Sequence, residues 1–399
     1  MTKLLNHINT YQSEADYQND KTKNFPNVSY IVENDNVLFV KEKTDYSNDY
    51  LTFEAIEDGK FTFTGTSSNS LSYSLDDGQT WTALASGSAS PTVTAGNKIM
   101  WKGTCTPNNN GIGNFSSTGT FNVQGNIMSL LFGDDFTNKT NLTGKDYAFY
   151  RLFYQNASIK SAKNIILPAT TLASYCYGNM FEGCTSLVNT PTLPATTLAS
   201  NCYFNMFNGC TGLTSAPVLP ATTLADACYR NMFSGCTNLV NAPELPATEL
   251  ASSCYYFMFN GCTNLTTAPV LPARTLTEYC YLGMFYGCTG LVNAPELPVT
   301  TLANYCYYNM FSGCTSLTTA PVLPARTFTT YCYANMFEGC TKLNYIKAMF
   351  TATPGTNYTY NWVGGVASSG TFVKNSEATW NVTGDNGIPE GWTIQRASS

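Results

Sequence analysis

Residues 306–325 read CYYNMFSGCTSLTTAPVLPA. Two cysteines stand eight positions apart around aromatics and a Met, and a Thr-rich tract with two prolines follows. Taken alone, the pair invites a metal site, a disulfide or a catalytic thiol. The same words recur in a 26-residue unit that begins at 167, 193, 219, 245, 271, 297 and 323 and ends near Ala348. Its consensus is LPATTLAxxCYxNMFxGCTxLxxAPx. One cysteine column runs from Cys176 to Cys332 and the other from Cys184 to Cys340, which accounts for fourteen of the fifteen cysteines; Cys105 stands apart. Self-similarity at such a period marks a repeat architecture, in which a unit buries its apolar stripe only by stacking on its neighbours.

Within the unit, Cys306, Tyr307, Met310, Phe311 and Cys314 fall at i, i+1, i+4, i+5 and i+8. That spacing predicts one face of a short helix, with Gly313 closing it in a left-handed conformation. The tract that follows is rich in Thr and Val and reads as extended. Pro321 and Pro324 cannot donate ladder hydrogen bonds, so only three or four residues around Leu317–Ala320 are expected to pair. Each unit is thus predicted to be strand, turn, short helix and turn, one coil of a right-handed solenoid.

The run MFSGCTSLTTAP (310–321) resembles the BspA-type leucine-rich repeats of gut Bacteroidetes and their phages. The 26-residue unit is longer than that family's usual repeat and carries an added LPATT segment. The resemblance covers 167–348 and implies a leucine-rich-repeat solenoid that displays a binding surface.

The flanks differ. Residues 125–166 read as an N-terminal cap, with a degenerate repeat in 150–172 where Leu152-Phe153 stand for Met-Phe and Ile159 for the repeat Leu. Residues 349–399 alternate strand and turn signals and read as a small C-terminal β cap. Residues 46–124 are rich in Ser, Thr and Gly, with short alternating runs such as KFTFTGT and turn signals at Asp58-Gly59 and Asp77-Gly78. They predict a β-sandwich-like module. Residues 1–45 read as a helix over about 3–18, a polar link and a hairpin over 28–41 turning at Asn34–Asn36. This opening segment is similar to the N-termini of virion structural proteins of Bacteroides phages, the crAss-like group included. That likeness implies attachment to other virion proteins. The predicted class is mainly β with short helices.

Composition narrows the function classes. The chain is 399 residues long, 43% hydrophobic and only 12% charged, with net charge −6. A usual share of charged residues is about 25%. No Lys/Arg run exceeds two residues, which argues against nucleic acid or anionic membrane as partner. His7 is the single histidine, so histidine-based chemistry has almost nothing to use. No run of about 18 apolar residues exists to span a membrane. The first twenty residues lack an apolar leader core, which sets the expectation of a chain folded in a cytoplasm with reduced cysteines.

The cysteines themselves fit chemistry poorly. Zinc sites favour C-x2–4-C pairs, often with His, and here the spacing is C-x7-C. Eight residues of helix span about 12 Å, too far for a disulfide. No base is at hand to activate a thiol. Packed, reduced thiol ladders are the expectation. The motif SLDDGQTW (74–81) fits the Asp-box pattern of sialidases, but it occurs once and reads as a hairpin device in which Asp and Ser bond turn backbone. Carboxylate pairs such as Asp76-Asp77, Asp134-Asp135 and Glu54/Glu57 sit in turn or edge contexts. No catalytic residue, metal or cofactor is expected.

In a repeat array the constant positions build core and the variable ones can meet partners. The position after Cys-Tyr holds Phe204, Arg230, Tyr256, Leu282 and Tyr308, a predicted column of exposed side chains suited to recognition. A second pattern is the alternation of VNAPE (240–244, 292–296) with TTAPV (266–270, 318–322), a period of 52. The expected function is a non-enzymatic phage virion protein, a fibre, spike or decoration that binds a host protein or glycan. An exported cell-surface adhesin of the BspA type is the alternative. A homo-oligomer, a trimer by the habit of fibres, is a further expectation, although no heptad or triple-helix signature supports it.

Overall fold

The computed structural model describes residues 46–67 and 69–398 in full, and within 1–45 the backbone of three strands. These are β1 (Ile8–Tyr11), β2 (Val28–Glu33) and β3 (Asn36–Lys41). β2 and β3 form the expected antiparallel hairpin, with Glu33 opposite Asn36. The helix expected over 3–18 is corrected where the structure describes it. Ile8–Tyr11 is a strand paired to the free edge of β3, as Ile, Thr and Tyr favour. The remainder of that range lies outside the described residues. Residues 1–46 and 47–399 form two compact units.

The second unit opens with β4 (Leu51–Ala55), β5 (Phe61–Gly65), β6 (Leu71–Ser74), β7 (Thr82–Leu84), β8 (Lys98–Lys102), β9 (Gly113–Ser117) and β10 (Phe121–Asn126). A later strand, β11 (Ile159–Ile166), pairs parallel to β10. The sheet order is β11-β10-β4-β8-β6-β7, and β5 pairs with β9 separately. Apolar side chains alternate inward along the strands, and rings from both sheets meet. Phe53 touches Phe61, Trp101, Phe115 and Phe121 at centroid distances of 4.8–5.6 Å. Phe153 joins the same cluster from the degenerate repeat, 5.9 Å from Phe53. The module and the repeats therefore share one sheet and one core.

The repeats contain no helix. From Ala303 to Cys314, every second N–H closes a β-turn on the carbonyl three residues back: Cys306 on Ala303, Tyr308 on Tyr305, Met310 on Tyr307, Ser312 on Asn309 and Cys314 on Phe311. The N–H groups between them point along the array. Tyr305, Tyr307, Asn309, Phe311 and Gly313 donate to Thr330, Cys332, Ala334, Met336 and Glu338 of the next coil, at 2.7–3.1 Å. Tyr305, Asn309 and Gly313 have positive φ (55°, 56° and 76°) and occupy the third place of alternate turns, where a type II turn requires it. A left-handed residue every fourth position forbids a helix, and Asn and Gly tolerate that conformation best. The apolar pairs Cys306-Tyr307 and Met310-Phe311 share the same four-residue period. The predicted helix face is thus a turn spiral.

The extended tract is also shorter than predicted. In place of three or four paired residues per coil, single parallel bridges join the coils, as Asn241 to Thr267 and Thr267 to Asn293. The two proline columns that follow each bridge remove the donors that would lengthen it in that direction.

Stacking at this register aligns identical side chains. The rings from Tyr177 to Tyr333 form a ladder with 5.7–6.0 Å between centroids and interplanar angles of 3–12°. A second ladder runs from Phe153 to Phe337 at 5.3–5.8 Å. Phe149 stacks on Tyr177 and Phe153 on Phe181, each 28 residues apart, so Leu152-Phe153 do mark a degenerate coil, but it starts before 150 and gives way to the first regular unit at 167. Leu152 and Ile159 are fully buried. Stacking also continues beyond Ala348. Phe337 donates to Trp362 O at 2.8 Å, and Asn361 (φ 47°) and Gly365 (φ 74°) keep the left-handed positions. β12 (Tyr345–Ala348), β13 (Thr371–Lys374) and β14 (Thr393–Arg396) pair in parallel at the C-terminal end.

All fifteen cysteines are free and buried. In the second column each thiol spans two coils: Cys314 Sγ donates to Phe285 O at 3.1 Å, and the same bond recurs from Cys184 to Cys340 at 3.0–3.1 Å. Burial pushes these thiols up, Cys262 and Cys340 to about 12.

Three outcomes follow from this geometry. The folded thiol pKa lies above its ordinary value of 9.0, so stability is whole below pH 9 and is lost as pH climbs from there toward 12. One pH unit above 9 costs about 1.4 kcal/mol per buried thiol, and melting curves from pH 8 to pH 10 should fall steeply. Cys306→Ser, which has no assigned acceptor, should cost about 1–3 kcal/mol by chemical denaturation, whereas Cys314→Ser keeps Phe285 O and should cost less. Phe257 and Gly283 replace the usual Asn in neighbouring coils, and a Cβ on Gly283 would overlap the Phe257 ring. Gly283→Asn alone should therefore destabilise, and adding Phe257→Asn should recover most of the loss.

Candidate recognition surfaces

The turn spirals form one long edge of the array and carry the column singled out above. It is not the open row of side chains that the sequence suggested. Leu282 is buried, and Phe204, Arg230, Tyr256 and Tyr308 are half-buried. They lie along the array axis and pack on the coil above or below. The Arg230 guanidinium carbon sits 5.7 Å from the Phe204 ring centre and 4.4 Å from that of Tyr256, a cation held between two rings. Its buried Nε has no hydrogen-bond partner. Tyr308 Oη accepts a bond from Asn335 Nδ2 at 3.3 Å, and its ring meets those of Tyr305 and Tyr331. Tyr279, Tyr305 and Tyr331, at the left-handed positions, stack at 4.9 and 5.3 Å. Coils this close leave gaps one ring thick along their edge, and these side chains fill them. Ring edges, hydroxyls and one caged cation reach solvent beside the exposed side chains of Asp226, Glu278 and Asn304.

The bridge side is different, and none of the predicted recognition residues lies on it. In each rung the chain is extended between its prolines, so side chains alternate in and out: Glu244, Pro246 and Thr248 are exposed while Leu245 and Ala247 are buried. Six of the seven large apolar side chains exposed on 167–348 lie here. Val188, Val240 and Val292 form one column, 42–46% exposed. Val218, Val270 and Val322 form the other, 76%, 80% and 47% exposed. The two-coil alternation explains their placing, because Glu244 and Glu296 take the intervening positions of the second column. Between each Glu rung and the Val rung above it lies a groove. One is bounded by Pro243, Glu244, Pro246, Pro269, Val270 and Pro272, with a volume of about 300 Å³. Its counterpart, 52 residues on, is bounded by Pro295, Glu296, Pro298, Pro321, Val322 and Pro324, at about 340 Å³. Prolines offer no N–H, so neighbouring rungs cannot close on each other and the groove stays open. The period of 52 was visible in the sequence; the face it shapes was not.

The Asp-box residues hold their own hairpin. Asp76 accepts the Thr80 N–H at 2.9 Å and the Thr80 hydroxyl at 2.6 Å, and Ser74 Oγ donates to it at 2.7 Å. These bonds, that of the Thr80 hydroxyl foremost, pull Asp76 down to about 2. Trp81 Nε1 donates to Gly78 O at 3.1 Å and its ring packs on Tyr50. Both carboxylate oxygens are spent on the turn. Among the described residues no group of three or more His, Cys, Asp or Glu could hold a metal ion, and no helix is long and apolar enough to cross a membrane.

No curated protein and no solved structure matches the chain. The family model described as a BspA-type leucine-rich-repeat region of six copies matches residues 145–289 and 255–361, more than half of the chain. The match begins before the first regular unit and ends after the last; left-handed positions continue at both ends, at Tyr147, Arg151 and Gln155 on one side and at Asn361 on the other. The chain belongs to the BspA-type leucine-rich-repeat family.

Proposed function

We propose that this surface-type repeat protein is a non-enzymatic component of a phage particle, a fibre, spike or decoration, that binds a host protein or glycan. In this reading the stacked coils are a solenoid that carries the binding surface. The two sheets of 46–124 are a sandwich-like spacer, and residues 1–45 attach the protein to other virion proteins. The observation that carries the binding role is the turn-spiral edge, where Arg230 is held between Phe204 and Tyr256 and Tyr308 stands among Tyr305, Tyr331 and Asn335. Rigid aromatic side chains with polar tips and a pre-positioned guanidinium lose little entropy on binding, which suits recognition of a polar surface. The likeness of the opening segment to phage virion proteins supports the virion location. Family membership favours a second reading, an adhesin exported to a bacterial surface.

Mass spectrometry of purified particles separates the two. The virion reading expects the chain among the structural proteins, and absence there with presence on a bacterial envelope overturns it. Binding to host cells or a glycan array tests the edge. Arg230→Ala and Tyr308→Ala should each weaken binding about tenfold or more, measured at a temperature where circular dichroism shows the variant still folded. Unaltered binding by both would remove this edge from the site.

A further inference from the structure

Three departures from the repeat pattern touch one another on the turn-spiral edge. The middle left-handed position of the spiral holds Asn179, Asn205, Asn231, Asn309 and Asn335 in five of the seven regular units, and Phe257 and Gly283 in the other two. The residue before the Gly-Cys pair is Glu182, Asn208, Ser234, Asn260, Ser312 or Glu338 in six units and Tyr286 in the seventh. Tyr286 is 40% exposed, the one large apolar side chain so open on this edge of 167–348. Phe257 lies over Gly283, where a Cβ would stand 2.4 Å from the ring, and its ring centre is 5.8 Å from that of Tyr286. On its other side Phe257 meets Tyr256 at 4.8 Å, and Tyr256 covers the Arg230 guanidinium at 4.4 Å. The row from Arg230 to Tyr286 thus crosses three neighbouring coils. The fold does not ask for it. Five units build the same spiral with Asn, which tolerates left-handed backbone, whereas a bulky side chain at φ 49° is strained. Filling the gap accounts for Gly283 but not for the open ring of Tyr286. Strain held in place by its surroundings gathers at sites that serve a ligand.

We propose, taking the turn-spiral edge as the recognition surface, that Tyr286 propped on Phe257 is a stacking platform for one ring of a neutral sugar, so that the ligand is a glycan. The open apolar area is one ring wide and its surround is polar. A protein partner would cover about 1,200–2,000 Å² and use several apolar anchors, and this edge opens a single one. A pyranose matches it in size and chemistry. The C–H bonds on one face of the sugar form a small apolar patch, which the negative face of an aromatic ring attracts, and the hydroxyls form a polar rim. A rim partner stands one coil away in the column of Tyr286. Asn260 donates Nδ2 to Ser234 Oγ at 3.0 Å, which fixes the amide and leaves its carbonyl oxygen to accept a sugar hydroxyl. Charge selects a neutral sugar. Arg230 is two coils from Tyr286 and held between Phe204 and Tyr256, and Arg274 lies on the bridge side. Glu278 is exposed in the platform's own coil, so a carboxylated sugar would meet repulsion in place of a partner.

Two probes test the platform with the full chain: host cells before and after periodate oxidation, which cleaves sugar diols and leaves polypeptide chains intact, and an array of neutral, sialylated and uronate glycans. Cell binding should disappear after periodate, and array binding should favour neutral members. Tyr286→Ser installs the side chain that neighbouring units carry at Ser234 and Ser312. It should weaken binding about tenfold or more at a temperature where circular dichroism shows it folded, and Tyr286→Trp should keep binding. Phe257→Asn with Gly283→Asn removes the prop and relieves the backbone. Its melting temperature should stay close to that of the wild type while binding falls, a separation that a purely structural ring would not produce. Wild-type affinity in Tyr286→Ser would overturn the platform. Cell binding that survives periodate would overturn the glycan, and a preference for acidic array members would overturn its neutrality. Each of these leaves the edge as a recognition surface, whereas a wild type that binds no host cell removes the edge and the platform together.

Discussion

The structure depends on how the backbone divides its N–H groups. Along each turn spiral, alternate donors close turns within the coil and the rest reach the next coil. A helix would spend all of its donors on itself, and a strand would spend them on its neighbours. The turn spiral does both, so each coil is shaped locally and fastened to the next by the same ten or so residues. Five cross-coil bonds hold the register at Tyr305, Tyr307, Asn309, Phe311 and Gly313, and that register is what superimposes Tyr on Tyr, Phe on Phe and Cys on Cys. Offset stacks of this kind add about 0.5–1.5 kcal/mol per ring pair beyond burial. A slip of one residue would forfeit both ladders at once.

The thiol columns follow from the same constraint. Phe285 O already accepts the N–H of Cys288, and it accepts the Cys314 thiol as well. A carbonyl has two lone pairs, and the side chain that reaches the second must be small, apolar enough for a dry interior and able to donate. Cysteine meets all three conditions, and serine fails the second. The pair in CYYNMFSGC is thus a packing device with one directional bond. Its chemical inertness follows from the burial that makes it useful.

Much of this was legible in the sequence, and the failures have physical reasons. The 26-residue period, the degenerate coil marked by Leu152-Phe153 and the hairpin over 28–41 could all be read from pattern alone. The helix could not be excluded by apolar spacing, because i, i+1, i+4, i+5 fits a helix over two turns. What separates the two is strictness: a helix drifts at 3.6 residues per turn, whereas the turn spiral keeps a period of four. Asn309 and Gly313, four apart, were the sharper signal, since both favour left-handed backbone. The same pair, Asn361 and Gly365, marks a further coil in 349–399 that lost its cysteines and put Trp362 where Met stands. The strand at Ile8–Tyr11 is too short for periodicity to reveal, and its pairing with β3 is a tertiary contact.

The recognition column shows the limit of reasoning from variability. Phe204, Arg230 and Tyr256 vary between repeats, but they vary together, because each fills the gap left by its neighbours; Phe257 over Gly283 is the extreme case. Variation at stacked positions records coil-to-coil packing as much as contact with a partner. The bridge side offers the cleaner reading. There Val and Glu alternate at positions 76–80% exposed at their most open, where no neighbouring coil dictates the residue. A period of two coils is not required by a stack whose bonds repeat every coil. Duplication of a two-coil unit accounts for its origin.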